Sequence, residues 1–324
     1  MKSPICIIAD IGGTNARFAL VEPTESGVAS FSAPEKYLTA DRSFSQTVSQ
    51  FIRSRGIDFN ADIELRAAVA APVSAAQSLG EHATRLTNCD WEIGLTELHS
   101  ALPKLKMRVL NDFAAVALAL PSLTDAELTA WASTGSVSTG PKLAIGPGTG
   151  LGVASIVCVN GAWHVVPGEG GHVTLSAADD REAAILSIVR REFPHVSAER
   201  LLSGTGLPTL HRAVCAVDGL HSVASSAEDI TDAVHRGELG ALATLKTFAA
   251  MLGSVAGNAA LTLGATGGVY LAGGLLQHWR DVFPVHDFVT QFRSKGRFTS
   301  YLTNIAIHRI DAPEPGLIGL ARSA

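Results

Sequence analysis

The chain has 324 residues, 47% hydrophobic and 17% charged. That is enough apolar material for two cores, because a single core stops growing at about 250–300 residues, and it excludes global disorder. A net charge of −5, with no run of Lys or Arg long enough to follow a phosphate backbone, argues against nucleic acid as a partner.

The N-terminal Met1-Lys2-Ser3-Pro4 passes into Ile5-Cys6-Ile7-Ile8-Ala9-Asp10 without a signal-peptide pattern, which points to a cytoplasmic protein. That apolar segment reads as a buried strand. Gly12-Gly13-Thr14-Asn15 then turns the chain into a second strand, Ala16 to Val21, so the unit is a hairpin and not a strand-to-helix turn. Residues 43 to 54 read as a helix and Ala67 to Ala71 as a buried strand ending at Pro72. Arg108-Val109-Leu110 leads through Asn111-Asp112 into a helical run, Phe113 to Leu120.

The hairpin design then recurs. Lys142 to Ile145 enters Gly146-Pro147-Gly148-Thr149-Gly150-Leu151-Gly152, and Val153 to Val159 leaves it as a strand, which suggests a duplicated architecture. A helix from about Asp180 to Phe193 follows, then a polar stretch around Asp218 to Asp229. The segment Thr247 to Trp279 carries no Asp, Glu, Lys or Arg and is long enough to raise the question of a membrane span. Gly264, Gly267, Gly268, Gly273 and Gly274 break it into a helix and a short strand, Gly268 to Ala272, so it reads as a core helix and not as a span. Pro315 to Gly319 opens a last helix. Cys6, Cys89, Cys158 and Cys215 are too dispersed for a CxxC pair or a disulfide framework and read as reduced thiols.

Glycines let backbone N–H groups approach a nucleotide phosphate, through the missing Cβ or through unusual dihedrals. Gly12-Gly13 alone reads more readily as an ordinary tight turn. The loop at 146–152 is more specific, and it fits neither a dinucleotide fingerprint nor a P-loop, since it has no G-x-G-x-x-G register and no Gly-Lys-Ser/Thr. Asp10, before the first turn, suits a water-mediated Mg²⁺ contact or a cap on its own turn. Asn111-Asp112 suits a helix N-cap, which position alone favours, or a base facing a sugar hydroxyl. Glu169 and His172, three apart in Pro167-Gly168-Glu169-Gly170-Gly171-His172, are acceptors for vicinal hydroxyls, with a metal site as the weaker rival. Glu199, after Ser197, reads on its own as helix N-terminal chemistry.

Taken together and in order, these segments resemble the bacterial glucokinase family of the hexokinase–actin–Hsp70 superfamily. Asp10 to Arg17 resembles its first phosphate motif, Leu110 to Ala115 its catalytic connecting motif, Gly146 to Gly152 its second phosphate motif, and Leu271-Ala272-Gly273-Gly274 its adenosine motif. Pro167 to His172 and His195 to Arg200 are similar to its sugar-binding segments. The resemblance implies an α/β, two-domain actin-like ATPase (ribonuclease H-like) fold with a cleft between a small domain, 1–112 plus 310–324, and a large one, 113–309.

The activity it implies is ATP-dependent phosphorylation of D-glucose, the first step of glycolysis, in a cytoplasmic homodimer without nucleic-acid or membrane partners. Asn111, Asp112, Glu169, His172 and Glu199 would bind glucose, with Asp112 as general base. Ala9, Asp10, Ile11, Gly12, Gly13, Thr14, Asn15, Gly148, Thr149, Gly150, Gly273 and Gly274 would bind ATP, and Asp10 would hold Mg²⁺ through water. The zinc-binding cysteine cluster of the related ROK sugar kinases is absent, so no structural zinc is expected. The run Val73 to Arg85 is Ala-rich and looser than the family pattern, although Thr87-Asn88 and Trp91 follow it. The alternatives are a kinase for mannose, fructose or an N-acetylhexosamine, or a non-catalytic sugar sensor.

Overall fold

The computed structural model describes residues 4–22, 30–73, 75–78, 82–86, 89–133, 138–222 and 225–323. Thr87 and Asn88 lie outside the described residues. Two compact units are present, Met1–Ser122 with Pro313–Ala324, and Leu123–Ala312.

The first unit is built on a sheet whose β1 (Ile5–Ile11) and β2 (Asn15–Glu22) form the first glycine hairpin. The short β3 (Ser30–Phe31) and β4 (Glu35–Leu38) pair with β2, while β5 (Ile63–Val69) and β8 (Leu105–Asn111) extend the sheet in parallel beyond β1. Helix α1 (Phe44–Ser54) starts at Ser43, whose hydroxyl accepts from Gln46 N while the Gln46 side chain accepts from Ser43 N, a capping box. The short α2 (Ala75–Ser78), β6 (Thr84–Arg85) and β7 (Glu92–Ile93) follow β5.

Strand β1 is apolar except for Asp10 because both of its faces are covered. Ile7, Ala9 and Ile11 share a core with Phe44, Val48, Phe51 and Ile52 of α1. Ile8 points the other way, into a cluster with Ala115 and Leu317. Those two residues belong to α3 (Asp112–Ala119) and to the C-terminal helix α12 (Pro315–Arg322). The two helices touch backbone to backbone, and a Cβ on Gly319 would lie 1.8 Å from Ala115 O. This packing keeps α3 with the first unit, whereas the sequence reading ends that domain at Asp112.

The second unit repeats the design. Its sheet runs β12-β11-β10-β13-β14-β9, from β9 (Leu128–Ala132), β10 (Lys142–Pro147), β11 (Leu151–Val159), β12 (Ala162–Gly168), β13 (Val269–Leu271) and β14 (Ile307–Ile310). The glycine hairpin is again antiparallel, β10 with β11, and β13 and β14 again add in parallel. The helices are α4 (Asp180–Val189), α5 (Ala198–Leu201), α6 (Leu207–Asp218), α7 (Ala227–His235), α8 (Leu239–Leu263), α9 (Gly274–His278), α10 (Val285–Arg293) and α11 (Thr299–Thr303).

Helix α8 is long and apolar enough to cross a membrane by length and composition, and most of its apolar stretch is buried within the second unit. Phe248, Met251, Leu252 and Ala256 are core residues. Gly253 and Gly257 let α10 approach, since a Cβ on either would lie 2.2 Å from Phe288 O or 2.5 Å from Phe292 O.

Candidate active site

Asp10, next to last in β1, lies on the face that carries Ile8, so the alternation of a strand places it beside α3 and α12. Its carboxyl is pushed up to about 7 by burial first, then by the carboxylates of Asp112 and Glu314, with Arg17 opposing. No hydrogen bond or ion pair to this carboxylate is found among the described residues.

The turn that follows is braced from β4. Gly12 N donates to Asn15 O at 3.0 Å, Thr39 N to Thr14 O at 3.1 Å, and Thr39 Oγ1 to Gly13 O at 2.7 Å. The Thr39 segment is itself anchored by Trp91, whose Nε1 donates to Thr39 O at 2.9 Å and to Arg42 O at 2.7 Å. Asn15 Oδ1 is buried in the turn with no hydrogen-bond partner. Such an atom is costly unless a ligand or water meets it.

At the end of β8 the capping role is realised. Asn111 Oδ1 accepts from Phe113 N at 3.0 Å and Ala114 N at 3.2 Å, and Asn111 Nδ2 donates to Ala71 O at 3.3 Å. Asp112 Oδ1 accepts from Phe113 N at 2.8 Å. The cap orients both side chains at the first turn of α3, so capping and a functional role are compatible.

In the second unit the loop between β10 and β11 is tied down from three sides. Gly148 N donates to Gly150 O and Gly204 N donates to Gly148 O, both at 2.8 Å, while Thr205 Oγ1 donates to Thr149 O at 3.2 Å. Leu151 N donates to Glu199 Oε2 at 2.8 Å. The Ser203-Gly204-Thr205-Gly206 segment was not singled out from sequence, although two glycines in a polar tetrad shortly after Glu199 are a visible turn signal. Beside this loop, Ala272 N donates to Ile145 O at 3.1 Å, and a Cβ on Gly273 would lie 2.3 Å from Pro147 O.

Among the glycines proposed for nucleotide binding, only Gly273 has a left-handed backbone, at φ +109°. Gly12, Gly13, Gly148, Gly150 and Gly274 have ordinary φ, so their use lies in the missing Cβ and not in dihedral freedom.

Glu169, His172 and Glu199 come together although 30 residues separate the first from the last. His172 Nε2 is 3.8 Å from Glu169 Oε2, and His172 Nδ1 is 3.8 Å from Glu199 Oε1. A short bridge does this, Thr174 against Ser197, with Leu175 N donating to Val196 O and Ala198 N to Val173 O, both at 2.9 Å. Gly170 and Gly171 let the loop lie on β11, since a Cβ on Gly171 would fall 2.1 Å from Leu151 O. All three polar side chains keep solvent exposure, 51%, 60% and 32% respectively, as ligands for an incoming polar molecule must.

Within the first unit, then, Ala9 to Asn15, Asn111 and Asp112 gather at one end of the sheet. Within the second, Gly148 to Gly150, Gly273, Gly274, Glu169, His172 and Glu199 gather likewise.

A family model described as "Glucokinase" matches residues 7–324. The chain is 39% identical over 316 residues to a glucokinase of Nitrobacter hamburgensis, covering 97% of this chain and 95% of that protein. It is also 39% identical over 319 residues to a glucokinase of Chromobacterium violaceum, covering 97% and 88%. Among solved structures it is similar to a glucokinase from an Antarctic psychrotroph, with a TM-score of 0.85 and 31% identity over 99% of this chain and 98% of that one.

Proposed function

We propose that this chain, which belongs to the glucokinase family, carries out the ATP-dependent phosphorylation of D-glucose with Asp112 as the general base. The observation that carries the assignment of roles is Glu199, whose carboxylate reaches His172 with one oxygen and the glycine loop with the other.

Asn111, Asp112, Glu169, His172 and Glu199 are the proposed ligands of the sugar hydroxyls. Asp112 takes the proton of the 6-hydroxyl as its oxygen attacks the γ-phosphorus and the bond to the β-phosphate oxygen breaks. Gly12 N and Gly148 N are used within their own turns, so the N–H groups of Gly13, Thr14, Thr149 and Gly150 take up charge on the phosphoryl oxygens, and Gly273-Gly274 leaves room for the nucleoside. The orphaned Asn15 Oδ1 is an acceptor and calls for a donor at the first turn, such as a water molecule or a ligand hydroxyl, not a phosphate oxygen.

Magnesium fits Asp10, a hard oxygen donor whose ionisation is held back by burial first and then by neighbouring carboxylates, both of which a bound cation would offset. When bound there it would neutralise phosphate charge. An actin-like, ribonuclease H-like fold for each unit is part of the same proposal, supported by the repeated glycine hairpin flanked by parallel strands. A cytoplasmic homodimer completes it, and light scattering on the purified protein checks the assembly.

The test is a coupled assay with Mg-ATP and glucose, mannose, fructose and N-acetylglucosamine, following ADP and sugar 6-phosphate. Preference for glucose is expected. Turnover of another sugar would retain the mechanism with a different substrate, and no turnover in folded protein would favour a sensor.

A further inference from the structure

Asp10 and Arg17 stand directly opposite each other on the antiparallel β1–β2 pair. Opposed residues on such a ladder share a face, and opposite charges there attract. The guanidinium nevertheless turns elsewhere. Arg17 Nε lies 2.8 Å from Glu314 Oε1, and no ion pair joins Arg17 to Asp10 among the described residues.

Glu314 occupies an unusual position for this purpose. It is the N-cap of α12, with φ +51° and ψ +54°, one of two non-glycine residues with positive φ among those described. Its own Cβ disfavours that conformation, and so does the proline that follows, which biases the preceding residue toward extended backbone. Glycine or asparagine would suit the backbone better. A residue kept against its backbone preference has a side chain that the surroundings use, and the contact this side chain makes is Arg17. Gly316, two residues on, brings the start of α12 against Asp10, so that a Cβ there would meet the Asp10 carboxylate at 3.8–3.9 Å. Asp10, Arg17 and Glu314 thus form one local group.

We infer that Glu314 is a positioning residue that holds Arg17 away from Asp10 and so leaves the Asp10 carboxylate open to the magnesium ion of the nucleotide. The inference rests on the reading of Asp10 as the magnesium residue given above. Without Glu314, the guanidinium one strand away would close on Asp10 as an internal cation and compete with the metal. A carboxylate serving only to complement the helix dipole predicts something different, a loss of stability with no change toward magnesium.

Glu314→Gly is the variant to make, because glycine accepts the left-handed backbone and the fold is retained. Two readouts are used: the Mg²⁺ concentration for half-maximal glucose phosphorylation, and the Mg²⁺-dependent rise in Tm with a non-hydrolysable ATP analogue, which needs no turnover. Glu314→Gly is expected to raise the Mg²⁺ requirement about tenfold on both, as one competing ion pair would, with the KM for glucose unchanged. Adding Arg17→Leu to it is expected to bring the requirement back to near the wild-type value. Glu314→Gln, whose amide oxygen still accepts from Arg17, is expected to stay within about threefold of wild type. An unchanged Mg²⁺ requirement in Glu314→Gly, or a double variant no better than the single one, overturns the inference while leaving the kinase reading intact. A wild-type protein that Mg²⁺ and the analogue fail to stabilise overturns both.

Discussion

Glu199 Oε2 accepts a hydrogen bond from the backbone N–H of Leu151 at 2.8 Å. Its other oxygen lies 3.8 Å from His172 Nδ1, so one carboxylate belongs both to the proposed sugar cluster and to the proposed phosphate loop. Gly150 is what allows this, because a Cβ there would lie 2.4 Å from the same Oε2. Gly150→Ala should therefore displace Glu199 and raise the KM for glucose and for ATP together. A combined loss in kcat/KM of about 10²-fold is expected, the effect of misplacing a positioning group by about 1 Å. Steady-state kinetics in both substrates check it, and a change confined to ATP would show that the two sites are uncoupled. Glu199→Gln keeps an acceptor for Leu151 N and should spare the ATP KM.

Asp112 presents its carboxylate from the first turn of α3, oriented by the Asn111 cap and by the bond from Phe113 N. Asp112→Asn retains an oxygen acceptor for Phe113 N and should fold with an unchanged Tm. It cannot take a proton, and kcat is expected to fall by about 10²–10⁴ with glucose binding retained. Calorimetric glucose binding beside single-turnover kinetics checks both parts, and near-normal turnover would remove Asp112 from the role of base.

The two glycine hairpins, the strand ending at Asn111 and the helix from 44 to 54 were legible because each has a strong local signal: a continuous apolar run, a glycine turn or a capping serine. Strand β12 was not legible. It is an edge strand with only Trp163 and Val165 half-buried, and it ends in Pro167-Gly168, so it carries no buried run or clean alternation. Helix α8 begins at Leu239, eight residues before the uncharged stretch at Thr247, because Lys246 and the exposed Leu239 and Leu242 blur its first turns. At the candidate site the residue types could be read from motifs. The Glu199–Leu151 bond and the Arg17–Glu314 pair depend on long-range packing, through the Thr174–Ser197 bridge and the docking of α12, and have no local signal.

Arg66 fastens the end of the chain to the first sheet. Its guanidinium, 13% exposed, donates to Glu64 Oε1 at 2.8 Å, to Leu320 O at 3.1 Å and to Ser323 O, while Glu64 is held below the usual carboxylate range chiefly by this hydrogen bond. Arg66→Ala would leave the last carbonyls of α12 without this donor, and a loss of about 1–3 kcal/mol is expected. Chemical denaturation measures it. A loss of the same size in Glu64→Ala would mean that the ion pair, and not the carbonyl contacts, carries the effect.

His211 makes stability depend on pH. It is buried between α6 and α8, where Thr244 Oγ1 donates its proton to Gly240 O at 2.7 Å and is therefore the acceptor for His211 Nδ1–H at 2.8 Å. That fixes the neutral tautomer, with Nε2 bare and 3.8 Å from Cys215 Sγ. Burial lowers the pKa of His211 below its ordinary value, with the charge of Glu238 opposing. The unfolded chain then takes up a proton near pH 6.5 that the folded chain resists, so stability is full above that value and falls as pH drops through it. His308, lowered by burial and by Lys142, contributes with the same sign. Asp10, raised to about 7, acts with the opposite sign as pH falls through that value, so Tm from pH 7.5 to 5.5 is read as a difference between proteins: His211→Asn, which keeps a donor toward Thr244 but cannot titrate, should start lower and lose less Tm on acidification than the wild type. An unchanged slope in that variant would place the acid sensitivity at His308 or elsewhere.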